Sequence, residues 1–494
     1  MPVDPWLTID VRVNGLATED QQLVQKLATR LRKERTTLAV LDLYYNAEQR
    51  VEDLGISTPP ALKCLHTVTG WPGLIVDALD ERLCIEGFRY TTSTEADSDL
   101  WEIWQANDMD GEAPLATLDA LVFGRAFVLV GSDGPAGVPL ITVESPENVA
   151  VEWDARTRTV KAGLHFYEMD DQKCAALYQR TKTVYMGATR DDWEILDVDE
   201  HEIGKAPVFM LANRQRTNDR YGRSEITPAI RSLTDAACRT LLGLEGAREF
   251  YAIPQRYFLG VSEEQFQTAN GDVASKWDAL MSTILALPRD EETTALPQAG
   301  QFTTMSPAVY TEIINTYAQI LGAIAGLPPD FLGRTTDNPA SADAIRSAES
   351  RLNKKAQRKM VTFSSTWEAV LRFALALTNG GQVPAEAHGI ETIWANPATP
   401  TPVATSSAVV AQVQAGILPA DSDVTLEALD YTPLERARIR VDAQRSAGEQ
   451  FLAQIAHSLQ AKEVRTDGSL AKELTPHAQP PAPATPPGGG SGGG

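Results

Sequence analysis

Apolar residues return every three to four positions from Thr18 onward, with Leu23, Leu27 and Leu31 on one face. Thr18 and Gln21 form a capping-box pattern that predicts a helix start. A second helix is predicted through Leu38, Leu41 and Tyr45, and Pro59-Pro60 closes this region because proline supplies no amide donor and restricts its predecessor. The helical period resumes near Trp71 and Pro72, with Val76, Leu79 and Leu83 inward, and the apolar run 85–88 reads as the first strand. Helices are predicted over 98–109 and 113–123.

From 126–130 to about residue 211 the period shortens to that of strands. Short runs at 140–143, 150–153, 161–167, 175–179, 183–186 and 193–196 are divided by turn residues such as Ser132-Asp133-Gly134 and Asp170-Asp171. An antiparallel meander is expected, and with helices and strands segregated the fold class is α+β and not a doubly wound sheet.

The second half is rod-like. After GRSEITP a helix is predicted over 224–252, with Pro228 in its first turn and Ile226, Ile230, Leu233, Ala237, Leu241 and Leu244 on one face. At 1.5 Å per residue it would span about 40 Å. A mixed insert follows, with a strand at 256–261, a helix at 263–280, a strand at 284–287 and a polar loop at 288–300. A second rod starts at Ser306-Pro307, a good N-cap and N1 pair, and carries Tyr310, Ile313, Ile314, Tyr317, Ile320, Leu321 and Ile324 before stopping at Gly326. LPPDFLGRTTDNPAS is too rich in proline and glycine to be helical, and Ser341 caps a long helix reaching Leu377. Beyond lie a short strand at 390–394, helices at 406–415, 426–429 and 433–461, and a tail from Thr475 with nothing to bury.

The 494 residues suffice for several structural units, and 43% hydrophobic with 22% charged residues is ordinary for a folded protein. Against 44 Lys+Arg stand 66 Asp+Glu, a formal charge of -22 and the wrong sign for static gripping of nucleic acid. An acidic surface suits either solubility or a channel through which DNA slides without deep wells. Cys64, Cys84, Cys174 and Cys238 are scattered and read as buried thiols of a reducing cytoplasm. No signal peptide or membrane span is expected.

Catalytic motifs are missing. There is no P-loop, no G-x-S-x-G elbow and no H-E-x-x-H, and the six histidines share no pattern. No metal or cofactor is expected, and no enzymatic role. His201-Glu202 reads as a surface turn, and Trp101 with Trp104 as core or subunit interface. Arg30, Arg32, Lys33 and Arg35 form either a solvated helix end or a phosphate or partner contact. The sharpest basic cluster is Arg346, Arg351, Lys354, Lys355, Arg358 and Lys359; residues 351, 354, 355, 358 and 359 fall within one helix face and read either as a salt-bridged interface or as a phosphate-facing stripe.

Three strings, in order, carry a resemblance: YYNAEQRVEDLG with PP and GWPGLIVDALDERLCIEGFR; NRQRTNDRYGRSEITPAIRSL; and GLPPDFLG with NPASADAIR. Spread over about residues 20–375, they resemble portal proteins of tailed double-stranded DNA bacteriophages, in the version common in actinobacteriophages. The resemblance implies a phage portal architecture: a mixed α/β wing (1–222), a two-helix stem (223–252 and 306–326), a small α/β clip insert (253–305), a tunnel loop (327–340), a wing return helix and linker (341–399), a helical C-terminal crown (400–465) and a disordered tail (466–494). It further implies a homo-oligomeric dodecamer at one vertex of the virion, assembled in the host cytoplasm. The major capsid protein, the large terminase and a head-to-tail adaptor would be its partners, and DNA would pass through the ring. Asp330, Phe331, Arg334, Asp337 and Asn338 would face that DNA. Another head-tail structural protein, or a cytosolic enzyme, is the competing reading.

Overall fold

The chain is described as a computed structural model over residues 11–50, 67–93, 95–132, 134–189, 192–201, 203–251, 256–259, 298–301, 306–333, 342–398, 402–429, 431–432, 435–446, 448–449 and 451–453. Pro59-Pro60, Ser341, the insert over 263–287 and the tail lie outside these residues.

Strand β1 (Val13–Asn14) leads into α1 (Thr18–Tyr45), a single helix of 28 residues where the pattern predicted two. The supposed junction, Arg30 to Arg35, is composed of good helix formers, so nothing breaks the ladder there. Nor is there a capping box: Ala17 is the N-cap, and Gln21 instead donates to the Val11 carbonyl (2.5 Å) and accepts from Val13 N–H (2.9 Å), tying β1 to the helix.

Next come α2 (Trp71–Asp80), β2 (Ile85–Tyr90), α3 (Ser98–Ala106) and α4 (Met109–Phe123), close to expectation. The strands β3 (Arg125–Gly131), β4 (Leu140–Glu144), β5 (Val149–Asp154), β6 (Thr159–Met169), β7 (Gln172–Tyr178), β8 (Lys182–Ala188), β9 (Trp193–Glu200) and β10 (Val208–Ala212) follow. They do not form one meander. β5 to β9 run antiparallel in a six-stranded sheet, order β1-β9-β8-β7-β6-β5, with β1 parallel at its edge, while β10-β3-β4 is a separate antiparallel sheet.

The division follows from burial. β3 is apolar on both faces: Ala126, Val128 and Val130 enter the helical core, whereas Phe127 and Leu129 enter a second core shared with Val149, Val151, Ala176 and Val208. A strand buried on both sides must lie between two layers. The other face of the six-stranded sheet, through Leu164, Leu177, Val184 and Met186, packs against Val24, Leu27 and Leu31 of α1. The two sheets approach so closely at Gly163 that a Cβ there would lie 2.9 Å from Val208 Cγ2.

The rods are α5 (Pro228–Tyr251) and α6 (Ala308–Ala325), and β11 (Arg256–Leu259) pairs with β12 (Gln298–Gln301) between them in the chain. The end of the predicted polar loop 288–300 is thus a strand. α5 starts four residues later than expected because Glu225 N–H is tied to the Leu121 carbonyl, which turns the preceding residues inward. α6 ends as predicted at Gly326, whose φ of 76° lets its N–H close on the Gly322 carbonyl.

Helix α7 (Ala342–Thr378) carries Leu352, Ala356, Phe363, Trp367, Leu371 and Ala374 into the helical core. There Trp104 meets Trp367 edge-on at 5.2 Å and Phe88 at 5.0 Å, and its indole N–H donates to Asp110 (2.9 Å). β13 (Ile390–Trp394) then pairs antiparallel with β2, roughly three hundred residues earlier, and closes this first compact unit at Thr399.

The second unit begins at Pro400. It holds α8 (Pro402–Gln414), α9 (Asp423–Ala428) and a helical stretch over 435–446; an Arg440–Asp423 ion pair joins the last two, and the Ser422 hydroxyl caps α9. Val410, Ile417, Val424 and Val441 are exposed.

Trp104→Ala should remove about 3–5 kcal/mol of stability, because a fully buried indole leaves a cavity that its aromatic neighbours cannot fill. Chemical denaturation against the parent chain measures it, and a change under 1 kcal/mol would mean that this cluster does not organise the core.

Candidate functional site

Three features of the first unit stand out beside its core: the rods, the charge cluster at their root, and a cleft beside α1.

α5 leaves the body at Pro228 and α6 returns to it at Ala325, so the two rods run antiparallel. They approach at Gly243, where a Cβ would lie 3.3 Å from the Tyr310 ring. α6 buries Ala318, Leu321, Gly322 and Ala325. On its other side Val309, Ile313, Ile320 and Ile324, spaced four, seven and four residues apart, are 37–48% exposed. That spacing makes one apolar stripe along the helix, uncovered in a single copy.

At the root of the rods Glu225 is 2% exposed. Its carboxylate accepts from Lys359, lies 3.5 Å from Lys355 Nζ and 3.7 Å from Arg214, and receives the Asn213 amide at 3.2 Å. Burial alone would raise the Glu225 pKa, but Lys359 and Lys355 overcome it and hold the carboxyl down at about 2. Lys355 also donates to the Ala325 carbonyl (2.7 Å) and Arg351 to the Ala323 carbonyl (2.8 Å). Cations of α7 therefore cap the carbonyl end of α6, where the helix dipole favours them.

This geometry divides the predicted basic face. Arg351, Lys355 and Lys359, four residues apart, turn inward to α6 and Glu225, while Lys354 and Arg358 remain exposed. The five do not act as one stripe, because a buried carboxylate and the open carbonyls of α6 take three of them. Nothing in the residue pattern flagged Glu225: a single acid in GRSEITP carries no period, and its burial depends on chain segments over one hundred residues away.

Of the loop residues, Asp330 is exposed and Phe331 is half-buried in a short 3-10 turn against the body, with the Arg82 guanidinium 5.8 Å over its ring. Leu332 packs at Gly322. Arg334, Asp337 and Asn338 lie outside the described residues.

A cleft of about 470 Å³ opens between α1, residues 213–227 and the start of α5. Arg125, Arg214, Arg223 and Arg231 line it above Leu38, Leu41, Phe123 and Ile226, and a shallower extension along α1 adds Lys26, Arg30 and Lys33. Glu34 is the acid lining both; it pairs with Arg30 (2.9 Å) and with Arg125, whose burial lowers its pKa in spite of Glu34. Of the basic crowd at Arg30–Arg35, Arg30 and Lys33 thus face a cleft whose other cations, far away in sequence, no local pattern reveals. Among the described residues no group of three His, Cys, Asp or Glu could hold a metal, and no helix is long and apolar enough to cross a membrane.

The sequence family described as "Phage portal protein, SPP1 Gp6-like" matches residues 25–422, most of the chain. This protein belongs to the phage portal family. The portal protein of Mycobacterium phage D29 is 38% identical over 375 residues, covering 74% of this chain and 76% of that protein. The portal protein of Mycobacterium phage L5 is 37% identical over the same length and shares. Among solved structures, a chain of the virion of a native gene transfer agent particle aligns with TM-score 0.42 at 15% identity, over 73% of this chain and 88% of its own. A chain of the neck of an empty gene transfer agent particle aligns with TM-score 0.43 at 12% identity, over 78% and 91%. The portal match spans both sheets, both rods and α7, so the expected α+β portal fold and the family resemblance are borne out.

Glu225 ties together elements of this portal fold that are distant in sequence, and its removal leaves two lysines buried without a counter-charge. Glu225→Gln should cost about 3–5 kcal/mol at neutral pH. Because the folded carboxyl titrates at about 2 and a glutamate in the unfolded chain at its ordinary 4.5, its contribution is full above pH 4.5 and lost as pH falls toward 2. Urea midpoints measured from pH 6 to 2 should fall over that window in the parent and flatten in the variant.

Proposed function

We propose that this chain is the subunit of a closed ring at one vertex of a tailed-phage capsid, through which double-stranded DNA is packaged and ejected. The observation that carries this reading is the uncovered stripe Val309, Ile313, Ile320 and Ile324 on α6. Four large apolar side chains in line on a rod need a partner surface, and a copy of the same rod pair supplies it when copies repeat around an axis. The family match supports the setting, a phage particle.

On this reading residues 1–222 form the wing, 223–252 and 306–326 the stem, 253–305 the clip, 327–340 the tunnel loop, 341–399 the return helix and linker, 400–465 the crown and 466–494 a tail. The ring is a dodecamer. The clip docks the large terminase during packaging and the head-to-tail adaptor afterwards, and the outer surface meets the major capsid protein. Asp330 with Arg334, Asp337 and Asn338 fall on the loop that narrows the channel. Of the basic residues 351–359 on α7, Lys354 and Arg358 are left to meet phosphate, while Lys355 and Lys359 serve Glu225. The role is structural and not catalytic.

Native mass spectrometry with negative-stain imaging tests this. The parent chain should form rings with a central hole, and Ile313→Asp with Ile320→Asp should shift it to monomers with an unchanged thermal midpoint, since both side chains are exposed in one copy. A parent chain that stays monomeric at high concentration overturns the reading.

A further inference from the structure

We propose that neighbouring copies also lock together at the level of the six-stranded sheet, the β9 edge of one copy entering the cationic cleft beside β5 of the next. This rests on the ring reading and adds to the contact through the rods.

The cleft is amphipathic. Lys33, Arg223 and Arg231 rim a floor that includes Leu38 and Phe123; Arg223 also pairs with Asp219 (2.8 Å), and the acid lining the cleft, Glu34, is already paired to two arginines. Duplex DNA presents phosphates without apolar side chains, so a phosphate backbone would leave that floor bare. A protein segment carrying acids next to apolar residues fits both parts.

The chain exposes such a segment. Along β9, Leu196 is 50% and Val198 42% exposed, and Asp197, Asp199 and Glu200 beside them are exposed too. β1 covers only Trp193 and Glu194, so beyond them β9 has no strand on its outer side among the described residues. Large apolar residues on an open edge mark a surface that another chain covers.

Placement decides the kind of partner. α1 crosses the sheet from β8, where Asp20 pairs with Lys182 (2.7 Å), to the β5 edge, where Lys26 pairs with Glu152 (2.9 Å) and Arg30 donates to the Val151 carbonyl (3.2 Å). The cleft continues from there. β9 lies four strand intervals from β5, roughly 19 Å at the usual spacing. One subunit therefore carries an acidic-apolar edge and a basic-apolar cleft at opposite sides of one sheet. A two-fold dimer that set either surface against itself would oppose like charges. A head-to-tail contact sets each against its complement and repeats around a ring.

Two charge-reversed variants of the full chain test this: Asp197→Lys with Asp199→Lys, and Lys33→Glu with Arg223→Glu, all at exposed positions. Each alone should lower the ring fraction about tenfold in native mass spectrometry at low salt, because the reversed surface then meets a like charge. Mixed in equal amounts, they should form rings again, since each variant's altered surface complements the other's. Thermal midpoints should match the parent. Rings from either variant at the parent's level, or no recovery on mixing, overturn the proposal, and so does loss of duplex oligonucleotide binding in the second variant with its rings intact. Assembly lost in Ile313→Asp with Ile320→Asp but kept in both charge variants would leave the ring reading standing and this one refuted.

Discussion

A carboxylate out of water must be matched by cations or it destabilises the fold, and Glu225 is such a carboxylate. Its matching groups come from two places: Asn213 and Arg214 after β10, and Lys355 and Lys359 on α7. Lys355 reaches on to the last carbonyl of α6. The start of one rod, the end of the other and the long helix behind them are thus fixed by a single electrostatic requirement. No one of these segments satisfies the charge alone, so the rods acquire a defined root only when all are present.

With the root fixed, packing decides which faces remain outward. The helical core, the β10-β3-β4 sheet and the six-stranded sheet are three layers, and β3 is apolar on both faces because it lies between two of them. α1 covers the fourth surface. The rods stand apart from those layers: α6 buries one side, mostly alanine, glycine and leucine, and leaves isoleucine and valine on the other. An apolar face that the subunit's own layers do not cover belongs to assembly.

How much of this the sequence discloses depends on the range of the interaction. The rods, the stop at Gly326 and the strands β5 to β9 were legible because helical period, αL glycine and alternation are local signals. The splitting of the strands into two sheets was not, because β3 looks the same whether its second face meets a helix or another sheet. The continuity of α1 was hidden by charge: a cluster of cations reads as a helix end, yet arginine and lysine are good helix formers and here face a cleft. The basic face of α7 is legible as a cluster, but its division between inward and outward residues is not. Residues 351, 355 and 359 share a stripe that 354 and 358 flank, and only the burial of Glu225 tells the two apart.

The formal charge of -22 takes on a different meaning once the cations are located. Arg125, Lys355 and Lys359 are held inside ion pairs, and Arg351 caps α6, so they contribute little to the field outside. Lys26, Lys33, Arg223 and Arg231 lie along one cleft, while β9 presents acids on an open edge. A uniformly acidic particle would repel copies of itself at every approach. If the cleft receives that edge as proposed, the same chain would attract copies head to tail and repel them where acidic faces meet, so the acidic balance itself would select against wrong contacts.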